Sequence, residues 1–150
     1  MLLTIEPAQP EDLSALLALL DESGLPRDGF SGHLASALVV RDGAGIVGCA
    51  ALEMYGPSAL LRSVAVSPLR RGEGWGHRLT EAALDLARQH SVEHVYLLTE
   101  TAGDFFPRFG FRAIPRASVP PEVQQSVEFA TACPASALVM VKQMVGREGR

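Results

Sequence analysis

Residues 70–79 read RRGEGWGHRL, with glycines at 72, 74 and 76 between two arginines and an apolar helical pattern. Glycine is a poor helix former, so three of them at a helix start need a chemical reason. The first N–H groups of a helix have no intrahelical acceptor, and with the positive end of the helix dipole they make an anion site. Glycines there let a ligand reach the backbone, and Arg70 and Arg71 add charge. The pattern describes a cradle for a diphosphate. A flexible strand-to-helix connection has the same composition, and one GxG is weak evidence alone. The apolar strand ahead of it and the long helix behind it favour the cradle.

Two phosphate ligands are excluded by spacing. No GxxxxGK followed by Ser or Thr occurs, so the nucleotide-hydrolase loop is absent. The dinucleotide fingerprint needs glycine where His77 stands, and it follows the first strand of its domain, whereas this stretch follows the fourth.

A second set of residues lies on the strands before the cradle. Arg62 interrupts the apolar run ALLRSVAV, and the two-residue strand period puts Leu60 and Val64 on its face. A buried guanidinium needs an anion. That anion is a protein carboxylate such as Glu53, or a substrate carboxylate clamped by the arginine fork; exposure at the strand start would remove the need. Tyr55 shares the face of Glu53. Arg112 and Arg116 offer a second contact or plain surface charge. His33, His77, His90 and His94 lack metal-ligand spacing; His77 falls near the cradle and the others read as surface.

The elements that must position these residues follow from pattern. LLTIEP is a short strand, and Pro10, Glu11 and Asp12 open a helix with Leu13, Leu16, Leu17 and Leu20 on one stripe. ALVVR and GIVGCAALEMY are strands joined at Asp42-Gly43-Ala44, and Gly56-Pro57-Ser58 turns into a third. A helix runs from Trp75 to about His90, then HVYLLT reads as a buried strand. A short helix ends before Gly110, a strand starts at Phe111, one helical turn is expected over 121–125, and ALVMVK is the last strand. This order predicts an α/β fold with a mixed, mostly antiparallel sheet of about seven strands flanked by helices.

Composition bounds the partners. The chain has 150 residues, 47% hydrophobic and 20% charged, with net charge −4. That suits one globular domain over residues 1–150 and gives no footprint for nucleic acid or an anionic membrane. No secretory leader or membrane span is legible, and Cys49 and Cys133 read as a buried and a loop thiol. The expected setting is the cytoplasm, without a metal.

Arg71, Gly74 and Gly76 form Arg-x-x-Gly-x-Gly, which resembles the acetyl-CoA-binding motif of the GCN5-related N-acetyltransferases (the GNAT family). The preceding LLRSVAV with Pro68 and the element order resemble that fold over nearly the whole chain. The resemblance implies a gap between splayed strands 4 and 5, with backbone groups of Val64 and Val66 holding the pantetheine arm. It implies a cofactor site of Val64, Ala65, Val66, Arg71, Gly72, Glu73, Gly74, Trp75, Gly76, His77 and Phe106; Arg62, Ser63 and Tyr55, on the strands described above, are expected at the acceptor. LEMYGPSALLRSVAV, VYLLTETAGDFFPRFGF and VPPEVQQSVEFATACPASALVMVK resemble the arsenic-resistance N-acetyltransferases, which implies a glutamate-like acceptor.

N-acetylation needs a neutral amine, a stabilised oxyanion and a proton for the leaving thiolate. The Val64 N–H is the expected oxyanion donor. Glu53 is the leading base, against a solvent-facing carboxylate as the alternative. Many GNAT enzymes carry a tyrosine as general acid where Phe106 stands here, so the acid is unassigned; Thr99 and Ser126 are unsupported candidates. Phe30 and His33 fall in a segment that covers the substrate in such folds. A peptide N-acetyltransferase, with an open groove beside residues 25–35, and a non-catalytic acyl-CoA-binding module are the competing functions. The edge of the final strand leaves room for a homodimer.

Overall fold

A computed structural model describes residues 3–43, 45–132 and 136–144. Its strands are β1 (Thr4–Pro7), β2 (Ala37–Asp42), β3 (Gly45–Tyr55), β4 (Ser58–Val66), β5 (His94–Thr99), β6 (Arg112–Ala113) and β7 (Leu138–Gln143). The helices are α1 (Leu13–Glu22), α2 (Trp75–Gln89) and α3 (Pro121–Gln124). Cys133 and Ala44, named above, lie outside the described residues.

One seven-stranded sheet runs in the order β1-β2-β3-β4-β5-β7-β6. Every neighbouring pair is antiparallel except β4 and β5, which α2 links as a crossover. That parallel pairing covers only Ser58–Leu60 against His94–Tyr96, and the two strands part beyond it. The expected splay is present.

Trp75, Leu79, Ala83 and Ala87 of α2 pack on one face of the sheet against Ala50, Leu52, Leu61 and Leu97. The opposite face is covered in two halves. Leu16 and Leu20 of α1, with Phe30, sit on Cys49, Ala51 and Ala65. Val119, Val123 and Phe129 from the C-terminal segment sit on Leu60, Tyr96 and Val141. Each fully buried leucine contributes about 1.5–3 kcal/mol. Glu53, Arg62 and Glu128 fall between those halves. Phe30, expected over the substrate, is fully buried core instead.

The face predicted for Arg62 is corrected. Cys49 pairs with Ala65 but Ala51 with Arg62, so β4 carries one residue more than β3. Ser63 takes φ 62° at this bulge. An extra residue inverts the alternation beyond it. Leu60 and Arg62 share one face, while Val64 and Val66 pack with the α2 side.

Candidate active site

The cradle forms as the glycines predict, with a refinement. Gly72 and Gly74 adopt φ 84° and 87°, which other residues take only with strain. A Cβ at either would meet no protein atom within 4 Å, so the space above them is open. At Gly76 a Cβ would meet Phe105 at 3.8 Å and Val66 at 4.0 Å, an ordinary contact. Gly74 is the N-cap of α2 and no side chain caps that end. Uncapped N–H groups face a concavity of about 290 Å³ lined by Arg71, Gly72, Gly74, Gly76, His77 and Arg108. Main chain and space both fit a diphosphate.

Several side chains differ from expectation. Arg70 pairs with Asp42 and lies 3.6 Å from Glu73, so its charge is balanced by protein. Arg71 Nε donates to the Val66 carbonyl at 3.1 Å. The Trp75 indole is buried and donates to Glu73 at 3.1 Å, so only the main chain of Trp75 serves the cradle. Ala65 pairs with Cys49 and packs under α1, away from the cradle. Ser67 N–H bonds to the Val47 carbonyl at 2.8 Å, and ladder alternation then turns the main-chain groups of Val66 away from β3, toward the splay.

A second cavity, about 280 Å³, occupies the splay and is lined by Ser63, Val64, Leu97, Thr99, Phe105 and Phe106. It shares Val66, Gly76 and Phe105 with the cradle concavity. Phe106 is buried edge-on to Phe105 and Phe111 and has no proton to give. The Thr99 hydroxyl lines the cavity and accepts from Ala102 N–H at 2.9 Å. On the far side a third cavity, about 230 Å³, shares Arg62, Ser63 and Thr99 with the second and adds Pro26, Glu100 and Glu128. The three concavities adjoin one another through these shared residues.

At their inner wall stands a buried charge cluster. Arg62, with a side chain 0% exposed, donates to Glu53 Oε2 at 2.9 Å and to the carbonyls of Asp28 at 2.8 Å and Pro26 at 3.1 Å. Its Nε donates to Ser63 Oγ at 3.0 Å and lies 3.3 Å from Glu128 Oε2. The guanidinium is engaged by protein acceptors, so the expected bidentate clamp on a substrate carboxylate is not the geometry found. Its protein partner is the Glu53 alternative, and it pins the 26–28 segment.

Glu53 is neither solvent-facing nor an open base. It is 1% exposed, takes the Tyr55 phenol and Arg62, and lies 3.7 Å from His33 Nε2. Burial would raise its carboxyl pKa, but bonds from Tyr55, Arg62 and Ser126 outweigh that and hold it below the usual range. Burial, then Glu53, pushes the Tyr55 phenol up, so it remains a donor. Tyr55 does share the face of Glu53.

His33 belongs to this cluster rather than to the surface. Arg112 is exposed, and Arg116 bonds the Phe129 carbonyl at 3.3 Å, outside the three cavities. Glu128 and Arg108 were not foreseen. The burial logic applied to Arg62 would have found Glu128, an acid within the apolar stretch SVEFA. Arg108 had no local signal beyond its place after Phe106-Pro107. Among the described residues no group of three or more His, Cys, Asp or Glu could hold a metal, and no helix is long and apolar enough to cross a membrane.

An amino-acid acetyltransferase of Mycobacterium tuberculosis is 39% identical over 80 residues, which are 52% of this chain and 45% of that enzyme. The crystal structure of Rv2747 from the same organism, in complex with CoA and NLQ, superposes with TM-score 0.80 at 23% identity, covering 95% of this chain and 99% of that one. N-acetylglutamate synthase from Neisseria gonorrhoeae, complexed with coenzyme A and N-acetyl-glutamate, gives TM-score 0.80 at 22% identity over 95% of this chain and 35% of its own. The chain therefore spans less than half the length of the first and third of these. The family model of the acetyltransferase (GNAT) domain matches residues 33–113, the stretch that builds cradle and splay. With more than half of the chain matched and the fold in agreement, the chain belongs to the GNAT acetyltransferase family.

Proposed function

We propose that this chain is an acetyl-CoA-dependent N-acetyltransferase, acting as one domain on the primary amine of a small, amino-acid-like acceptor. The observation that carries it is the run of three concavities from the α2 N-terminus, through the splay, to Arg62, Ser63 and Glu128. One end suits a diphosphate, the middle suits an extended thiol arm, and the far end suits a small molecule. Bound acetyl-CoA supplies an activated acetyl group whose C–S bond breaks as the amine forms its N–C bond, the amine losing one proton and the sulfur leaving as thiol.

The residues have separate parts. N–H groups at 72–77 and Arg71 receive the diphosphate, with Arg108 beside them. Main-chain groups of Val64 and Val66 hold the arm, and the Val64 N–H donates to the carbonyl oxygen of the acetyl group. Ser63 borders the acceptor, while Tyr55, expected there, lines none of the three cavities and acts through its bond to Glu53. Arg62 positions it by holding the 26–28 segment closed on that side, which favours a small acceptor over a peptide groove. Glu53 keeps Arg62 and Tyr55 in place, and Thr99 is the hydroxyl nearest the leaving sulfur's route.

The acceptor class rests on the relatives, whose names are amino-acid acetyltransferase and N-acetylglutamate synthase. We take the acceptor to be a glutamate analogue, including the antibiotics that the arsenic-resistance branch acetylates. The tail behind that resemblance supplies Ser126 and Glu128 to the buried cluster, which supports a role for it at the site. Thiol release from acetyl-CoA tests both levels, with glutamate, phosphinothricin, arsinothricin, neutral amino acids, a polyamine and a peptide as acceptors. Turnover of the glutamate-like acids is expected. Turnover confined to neutral amines or peptide removes the acidic acceptor and leaves transfer standing. Acetyl-CoA binding without turnover of any amine favours the binding module.

A further inference from the structure

A fourth cavity, about 390 Å³, runs along the outer side of α2 between that helix and the 3-10 turn Phe106–Phe109. It shares His77 and Arg108 with the diphosphate cradle and is otherwise separate from it. Its remaining charged walls are Glu81, Asp85, Arg88 and Lys142.

The charges do not cancel. Arg88 Nη1 pairs with Asp85 at 2.7 Å, and His77 Nε2 lies 3.3 Å from Glu81. Neither Arg108 nor Lys142 has a carboxylate partner among the described residues. Arg108 stacks over Phe105, 5.1 Å from its ring centre, which fixes its place between cradle and cavity. Lys142 is half-buried on β7. Its Nζ stands 2.9 Å from the point a Cβ on Gly110 would occupy, so the amine lies against the turn that carries Arg108. Burial, and then Arg88, lower its pKa, the direction expected of an ammonium crowded by another cation. Two cations without a protein anion, one half-buried, border a cavity next to a diphosphate site. With Arg88 and Asp85 paired and Glu81 the one other carboxylate, the walls keep a net positive charge that an anion completes.

Coenzyme A carries such a group one sugar ring from its diphosphate. The ribose bearing the diphosphate at its 5′ position bears a phosphate monoester at its 3′ position, with roughly −1.5 to −2 charge at neutral pH. A diphosphate at the α2 N-terminus therefore brings the monoester to a neighbouring site. His77 and Glu81 are four residues apart along α2, about 6 Å of rise.

We propose that Lys142 and Arg108 seat the 3′-phosphate of coenzyme A in this cavity, so that the protein distinguishes acetyl-CoA from its 3′-dephospho form. This rests on the acetyl-CoA assignment above. It assigns recognition to β7 and to the turn after β5, outside the glycine motif.

Calorimetric titration of the full chain with acetyl-CoA and 3′-dephospho-acetyl-CoA tests it. Wild type is expected to bind acetyl-CoA about tenfold to a hundredfold more tightly, the range for one or two charge-assisted contacts. Lys142→Gln should weaken acetyl-CoA, leave the dephospho form unchanged and bring the ratio below about threefold, while Lys142→Arg retains the preference. Equal wild-type affinities overturn the seat and leave the cofactor assignment intact. So does a Lys142→Gln variant that loses both ligands equally, because the lysine would then act on the fold. Binding of inorganic phosphate alone, without discrimination between the two cofactors, would mark an independent anion site and also overturn it. Binding of neither cofactor removes the acetyl-CoA assignment itself.

Discussion

The Tyr55 phenol donates to Oε1 of Glu53, two residues back on the same face of β3, while Arg62 takes Oε2 at 2.9 Å. One carboxylate thus holds together a phenol and a guanidinium that anchors the 26–28 segment. Removing the phenol oxygen should release that hold without disturbing the cradle. Tyr55→Phe is expected to lower kcat/KM for the acceptor at least about tenfold, the scale of one lost hydrogen bond to a buried charge, with acetyl-CoA affinity unchanged. Steady-state kinetics beside calorimetry separates the two. A parallel loss of cofactor affinity would place Tyr55 in the general fold.

The cradle is tested at its N-cap. Gly74→Glu puts a carboxylate into the open space above the α2 N-terminus and should abolish acetyl-CoA binding. Gly74→Ala carries the same backbone strain, about 1–2 kcal/mol, without the charge. It should lower thermal stability while retaining measurable affinity. Unchanged affinity of Gly74→Glu by calorimetry would move the diphosphate elsewhere.

Arg62 faces two buried carboxylates, Glu53 at 2.9 Å and Glu128 at 3.3 Å. Arg62→Met leaves both buried carboxylates without this cation and frees the Pro26 and Asp28 carbonyls. A loss of about 3–5 kcal/mol is expected in urea unfolding. A loss under about 1 kcal/mol would mean that the carboxylates are protonated or solvated, against the lowered pKa of Glu53.

Acid sensitivity should trace to Asp12 as well. Arg41 holds it through two contacts, 2.9 and 2.8 Å, and Gln9 N–H adds a third at 2.7 Å. The Arg41 bond leads in lowering its pKa from 3.8 to about 2. A lowered folded pKa stabilises the protein fully above the unfolded value, and the gain is lost as pH falls from about 4 toward 2. Asp12→Asn should therefore lower stability at pH 7 and flatten the Tm-against-pH curve below pH 4. An unchanged slope would assign the acid sensitivity to Glu53 and not to Asp12.

Local chemistry was legible wherever it depends on local geometry. Gly72 and Gly74, the α2 stripe of Trp75, Leu79 and Ala83, and the hairpin at Gly56 follow from backbone preference and side-chain period, which act within a few residues. The order of strands and helices narrowed the fold, and the Arg-x-x-Gly-x-Gly run narrowed the family. Arg62 was identified as a residue needing an anion, because burying a guanidinium without one costs too much for any fold.

Which anion it meets was decided only in three dimensions. The bulge at Ser63 turns Val64 away from the face of Arg62, and no propensity in ALLRSVAV announces that extra residue. Glu128 arrives from a segment 66 positions away, carried there because Val119, Val123 and Phe129 cover the second half of the sheet. Lys142 and Arg108 meet across one cavity because β7 inserts between β5 and β6. Sequence by itself determined the conformations and the chemical types; the tertiary structure decided the partners, because charge pairing and strand register are set by contacts between distant segments that no local energy encodes.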